Sequence, residues 1–335
     1  MNNLKKIGLT ALAASLVSTS VFAGEMAVTG KAAINFENYS ADKTAGSKAA
    51  GTKAFSMGNQ LTFKGSGELD NGLNVALSFV LDQNDDKATD DQATVGKYNA
   101  GSPFDSHSVS ISSDAMGTLK FHGEGGDSAQ NATGDTAAGN IWDNFDGRNG
   151  KSSKLKESRA GDNIMHYTLP SMVEDLTVAV SYTPAGGKSS SDSAYALTYA
   201  GVEGLSLSFG KGEDASTPGT DIDQTIFKGS YAYGAYTFAY SNNDYDHSTG
   251  TKDQEVESFS LAYTVTENIS VSYGEETIEK TSVTSDVDVK GFTGSYTSGG
   301  MTAALTSISA DNVDHSSTAD SNDNDFWKVS LSFAF

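Results

Sequence analysis

The stretch Trp327-Lys328-Val329-Ser330-Leu331-Ser332-Phe333-Ala334-Phe335 decides the reading of this chain. Trp327, Val329, Leu331, Phe333 and Phe335 fall on one face, and Lys328, Ser330, Ser332 and Ala334 on the other. Successive Cβ atoms of a strand point to opposite sides of the pleat, so a period of two with one apolar face predicts a strand. A soluble sheet would hide that face against a second layer and then finish in a polar tail. Here the strand is itself the terminus and carries aromatics at both ends, which is how a strand reads when its outer face meets lipid.

The opposite end points the same way. Residues 1–23 begin with Lys5 and Lys6, continue through an apolar stretch from Ile7 to Phe22, and end in the small-residue pattern Val21-Phe22-Ala23. This predicts a cleaved secretory signal with Gly24 as the first mature residue. A membrane anchor would need about 18 or more strongly apolar residues, and Ser15, Ser18, Thr19 and Ser20 interrupt the run. Taking 23 from 335 leaves 312 residues, 24–335, expected to form one barrel unit, since barrels commonly exceed the usual domain length. The chain has four prolines, 35 glycines and no cysteine, so no disulfide closes the fold. Removing Lys5 and Lys6 moves the formal charge from −21 to −23. That acidity argues against nucleic acid or an anionic membrane surface as partner.

The strand unit recurs along the chain. Strand 1 sets Met26, Val28, Ala32, Ile34 and Phe36 against Thr29, Lys31, Asn35 and Glu37. Strand 2 sets Leu61, Phe63 and Leu69 against Gln60, Thr62, Lys64, Ser66 and Glu68. Asp70-Asn71-Gly72 is a tight-turn signal, and strand 3 follows with Leu73, Val75, Leu77, Phe79 and Leu81 outward. A long polar stretch, Gln83 to Ser106, comes next. The alternation of short turn and long loop then predicts strands near 107–113, 118–124, 163–169, 176–183, 193–200, 205–211, 225–232, 235–241, 256–265, 269–276, 287–297 and 301–309. With the terminal strand the count is sixteen.

An even strand number, short turns at one end, polar loops at the other and one-sided apolar faces predict an all-β, sixteen-stranded antiparallel transmembrane barrel. Only helices and closed barrels satisfy every backbone group inside lipid. Tyr182, Tyr195, Tyr199, Phe209, Tyr231, Tyr236, Tyr240, Tyr263, Tyr273 and Tyr296 fall near strand ends, where aromatic girdles form. A secreted β-sandwich or adhesin is the alternative, but it would show both faces of several strands apolar, whereas strands 9, 11 and 13 read as one-sided.

Met116-Gly117-Thr118-Leu119, followed by Glu124-Gly125-Gly126, resembles the strand-5 segment of Gram-negative general-diffusion porins. Arg159 to Pro170, with Asn163, Ile164, His166, Tyr167 and Pro170, resembles the family's strand-6 signature, except that His166 replaces the more usual Arg. The resemblance spans the mature chain. It implies passive diffusion of ions and small hydrophilic solutes, short periplasmic turns with both termini periplasmic, and long external loops. It further implies a third loop folded into the pore, a homotrimer among lipids of a Gram-negative outer membrane, and a C-terminal Phe335 read by the outer-membrane assembly machinery. A porin of the same fold with a preferred solute is the second reading.

In a channel the site is a constriction. The third long connection, Gly125 to Asp162, has 38 residues, a length that marks functional loops. Ile141, Trp142 and Phe145 within it need a wall to pack on. Its first part carries Asp127, Asp135, Asp143 and Asp146 without a basic residue; its second carries Arg148, Lys151, Lys154, Lys156 and Arg159. Inward positions of the wall carry Lys31, Lys64, Lys120, His122, His166 and Lys328. An acidic loop facing a basic wall would set a transverse field across the waist. Enzymatic readings lack support. The five histidines show no metal-ligand spacing, no phosphate-cradling glycine motif opens a helix, and hydroxyl groups near histidines are too common to be informative. No cofactor is expected. The acidic runs Asp82 to Asp91, Asn242 to Asp253 and Asp311 to Asp325 offer at most weak Ca²⁺ sites at the rim.

Overall fold

The computed structural model describes residues 24–41, 52–82, 104–145, 160–185, 191–214, 221–315 and 323–335. The expected signal segment, residues 1–23, lies outside them. The first half of the barrel comprises β1 (Glu25–Ala41), β2 (Thr52–Glu68), β3 (Asn74–Asp82), β4 (Ser106–Ser113), β5 (Gly117–Glu124), β6 (Ile164–Thr168), β7 (Leu176–Thr183) and β8 (Asp192–Val202). The second half comprises β9 (Leu205–Asp214), β10 (Ile222–Tyr233), β11 (Tyr236–His247), β12 (Gln254–Thr266), β13 (Ile269–Lys280), β14 (Val287–Ser298), β15 (Met301–Asp311) and β16 (Asn324–Ala334). Each strand pairs with its sequence neighbours, and β16 pairs back onto β1, so the sheet closes on itself.

Closure follows from the terminal stretch. Leu331 stands opposite Ile34 and Val329 opposite Phe36, which places apolar residues together on the outer side of the seam. Phe36 packs against Trp327 and Phe55 there, with ring centroids 5.3 and 4.9 Å apart. Phe335 completes the ladder: its N–H donates to the Gly30 carbonyl (3.0 Å), and the Gly30 N–H donates to its carbonyl (2.6 Å). All ten aromatic residues expected at the girdles take outward positions; Tyr236 and Tyr263, stacked at 4.7 Å, are one pair.

The strands extend further at their outer ends than the alternation predicts. β11 runs to His247 rather than Ser241, and β13 to Lys280 rather than Glu276. The reason is a phase change in hydrophobicity along one uninterrupted strand. On β12 the register with β11 runs without a shift from Tyr236↔Tyr263 to Tyr245↔Gln254. Yet Phe259, Leu261 and Tyr263 put the apolar side outward, whereas above Ser258 the apolar Val256 points inward, fully buried, with Glu255 and Glu257 outside. β13 and β14 repeat the switch: Ile278, Val287 and Val289 are buried inside while Glu275, Glu279, Asp288 and Lys290 lie outside. A 12-residue strand such as β10 is about 41 Å long at about 3.4 Å per residue, and about 31 Å tall once tilted about 40°. An apolar band about 25 Å high leaves the outer end of such a strand in water. There the outer face becomes polar, and the inner face finds something apolar to cover it.

The cover is the third loop. Trp142 and Phe145 are buried in a cluster with Tyr39, Val256, Ile278, Val287, Val289, Ile308 and Phe326, and Ile141 packs against it. These partners come from the inward faces of β1 and β12–β16. A smaller buried cluster, Ala129 with Ala194 and Ala196, joins the start of the loop to β8.

Candidate functional site

The third loop leaves β5 through a two-residue ladder in which Gly126 and Asp127 pair with Gly161 and Ala160. It then follows the inner wall strand by strand. Ala129 N–H donates to Ser181 Oγ on β7 (2.8 Å). Lys228 Nζ on β10 donates to the Asp135 carbonyl, and Asn243 Nδ2 on β11 to the Gly134 carbonyl, both at 2.8 Å. Ser241 Oγ and Ser258 Oγ accept from the N–H groups of Ala137 (2.8 Å) and Ala138 (2.9 Å). On β13 the Glu276 carboxylate accepts from the Thr136 hydroxyl and from the N–H groups of Ile141 (3.1 Å) and Trp142 (2.8 Å). Past that point the loop is held by apolar contact, the Tyr39 and Phe145 rings lying 6.1 Å apart.

Two wall positions make the close approach feasible. A Cβ at Gly210 would lie 2.7 Å from Thr133 Oγ1, and one at Gly274 would lie 2.6 Å from the Ala138 Cβ. Neither is adjustable without moving the loop, because the contacts involve short side chains close to its backbone.

Asp127, Asp135 and Asp143 are exposed. Asp127 is oriented by Asn131 Nδ2 (2.7 Å) and Asp135 by Asn140 Nδ2 (2.9 Å). Both line an open recess together with Asn131, Asn140, Gln224 and Tyr245. Asp146, Arg148 and Arg159 lie outside the described residues.

The six wall residues named from the sequence all occupy inward positions, and His166 among them is hydrogen-bonded to the Asp127 backbone where the loop begins. Lys120 stands directly opposite His166, and His122 opposite Ile164, so these three are neighbours across β5 and β6. Lys64 belongs to the same ladder row, which runs Lys64, Ser78, Ser108, His122 across β2–β5. Lys31 and Lys328 stand apart from that group and from each other. Lys31 pairs with Ala334 and Glu37 with Lys328, six register positions away (334 − 328), or about 20 Å along the strand. Lys328 faces an acidic cross-strand neighbour, which weakens its field in the lumen.

Sequence reasoning missed Lys228, Glu276 and the two glycines. Alternation alone places all four on inward faces. What it cannot show is that a segment far away in sequence docks on them, 93 residues away for Lys228 and Asp135 and 140 for Glu276 and Thr136. Among the described residues no group of three or more His, Cys, Asp or Glu side chains is placed to hold a metal, and the one ion pair is His107 with Glu124 at 3.7 Å. The arrangement orients charges around a passage.

A family model described as Gram-negative porin matches residues 8–316. No curated protein sequence matches the chain. Among solved structures, an anion-selective porin from Comamonas acidovorans superposes with a TM-score of 0.64 at 15% identity, covering 93% of this chain and 100% of that one. A substituted variant of the Rh. blastica porin does so with a TM-score of 0.62, also at 15% identity and with coverages of 93% and 100%. At such identity these likenesses show the fold alone, and it is the same closed barrel. With the family match extending over most of its length, the chain belongs to the Gram-negative porin family and forms a passive outer-membrane diffusion channel for ions and small hydrophilic solutes.

Proposed function

We propose that the third loop forms the waist of this channel, and that a weak preference for cations is set there by Asp127, Asp135 and Asp143 against the Lys64, Lys120, His122 and His166 wall. The observation that carries the reading is the run of hydrogen bonds from residues 129–142 to inward side chains of β7, β10, β11, β12 and β13. A segment held on that face occupies part of the lumen, and the carboxylates it carries lie in the water that solutes cross. Screening over about 8–10 Å at physiological salt makes charges at the waist outweigh those at the rim. Lys31, more than one Debye length from Lys328 along the strand, contributes separately. The mature chain, 24–335, works as a homotrimer with periplasmic termini, after removal of residues 1–23 and recognition of Phe335 by the assembly machinery. No chemistry is performed on the solute.

The test is the zero-current potential in a salt gradient across a planar bilayer. Asp127→Asn, Asp135→Asn and Asp143→Asn together should shift it toward anions, and Lys64→Gln with Lys120→Gln should shift it the other way. If the aspartate set changes neither selectivity nor conductance, the loop does not form the waist.

A further inference from the structure

We propose that Glu276 is the positioning residue that sets the aperture of the pore, by holding the tip of the third loop at a fixed distance from β13. The proposal rests on the reading of that loop as the waist. Glu276 is 1% exposed, and no cation lies within ion-pair distance of it among the described residues. A buried carboxylate without a counter-charge persists only if hydrogen bonds replace its hydration. Three donors do so, and all belong to one short segment of the loop: the Thr136 hydroxyl and the Ile141 and Trp142 N–H groups.

The segment is folded as a socket for an anion. Asn140 adopts the left-handed conformation (φ 56°, ψ 43°) immediately before the 3₁₀ turn Ile141–Asn144. A left-handed residue followed by right-handed ones turns successive N–H groups toward one point, the concavity known as a nest. Asn140 is locked in this role from both sides, its N–H donating to Thr136 Oγ1 (2.8 Å) and its Oδ1 accepting from the Thr136 N–H (3.0 Å). Socket and side chain therefore stabilise each other: lifting the loop would strand a buried carboxyl group and three oriented donors. Three hydrogen bonds converge on this one side chain, so the contact outweighs each single bond that Ser241 or Ser258 accepts. Two residues earlier on the same inward face, Gly274 leaves the recess that receives Ala138. One strand thus carries both the hook and the seat.

The test uses the full mature chain in planar bilayers, with assembly checked separately by the heat-dependent mobility of the barrel. Glu276→Gln keeps the size but turns one acceptor oxygen into a donor facing an N–H; Glu276→Ala removes both acceptors. Each should assemble and lose the single sharp open level, giving a broad and fluctuating conductance, more so for Ala. Gly274→Val, by pushing Ala138 into the lumen, should lower the conductance instead. Should the Glu276 variants fail to assemble, Thr136→Val removes one donor from the loop side with the wall intact, and should broaden the open level less. Assembled Glu276→Gln and Thr136→Val channels with unchanged level and noise would overturn the proposal, as would a fall in heat resistance alone. If the aspartate set described above shifts selectivity while these variants stay silent, the anchor fails and the waist stands; if that set is silent too, the waist itself fails.

Discussion

β12 allows the lipid boundary to be measured with four substitutions on one strand. Leu261 faces outward between Phe238 and Tyr273, at the level of the apolar band. Leu261→Arg should cost about 2–4 kcal/mol, or roughly 30-fold to several-hundred-fold in the folded ratio at about 1.4 kcal/mol per tenfold. Its neighbour Ser260 faces the lumen, and Ser260→Arg should stay within about 0.5 kcal/mol. Glu257 also faces outward but lies four residues higher, about 14 Å along the strand, and accepts a hydrogen bond from the Tyr240 hydroxyl at 2.9 Å. Glu257→Arg should therefore cost only about 1 kcal/mol, the worth of that bond. Val256 is fully buried on the inner side, so Val256→Arg should cost about 3 kcal/mol or more, because it strands a charge under the loop core. Folded fraction is read from refolding out of urea into lipid vesicles, scored by heat-dependent gel mobility. The inward and outward assignments predict the cost order Leu261 and Val256 high, Ser260 and Glu257 low. An Arg at Glu257 as damaging as one at Leu261, or a harmless one at Val256, would refute the phase change as the place where lipid ends.

Two further outcomes follow from other parts of the fold. Phe335 is 73% exposed, while its backbone makes the two bonds to Gly30; Phe335→Ser should therefore refold nearly normally in vitro but assemble poorly in cells, and equal yields in both settings would remove the residue from the assembly signal. His315, in the turn after β15, is buried beside the Ser285 carbonyl (3.3 Å). Burial, helped by Lys280 and opposed by the Ser285 carbonyl, Asp286 and Asp314, holds its pKa below 6.5. A base whose folded pKa is depressed gives stability that is complete above the unfolded value near 6.5 and lost as the pH falls toward the folded one. Protease cleavage near residue 315 should thus rise below about pH 6.5, and His315→Gln should flatten that dependence.

Much of the architecture was legible because a strand's period and a barrel's two solvents leave a direct trace in sequence. The alternation from Trp327 to Phe335, the turn at Asp70-Asn71-Gly72 and the aromatics near strand ends sufficed for sixteen strands and their facing. The same logic fell short at the outer ends, where Val256 and Ile278 switch faces. A reader that expects one apolar face stops the strand at the switch, although the two phases belong to one continuous ladder. The inward placement of Lys64, Lys120, His122 and His166 was likewise readable, since parity fixes facing. That Lys31 and Lys328 stand about 20 Å apart along the seam was not, because it depends on the stagger between β1 and β16. Tertiary structure alone decided that Glu276, Lys228, Gly210 and Gly274 receive the third loop. Facing is a local property, set by the tetrahedral geometry of each Cα and repeated every two residues. Docking joins residues separated by 140 positions, and only the closed barrel brings such residues within hydrogen-bonding distance.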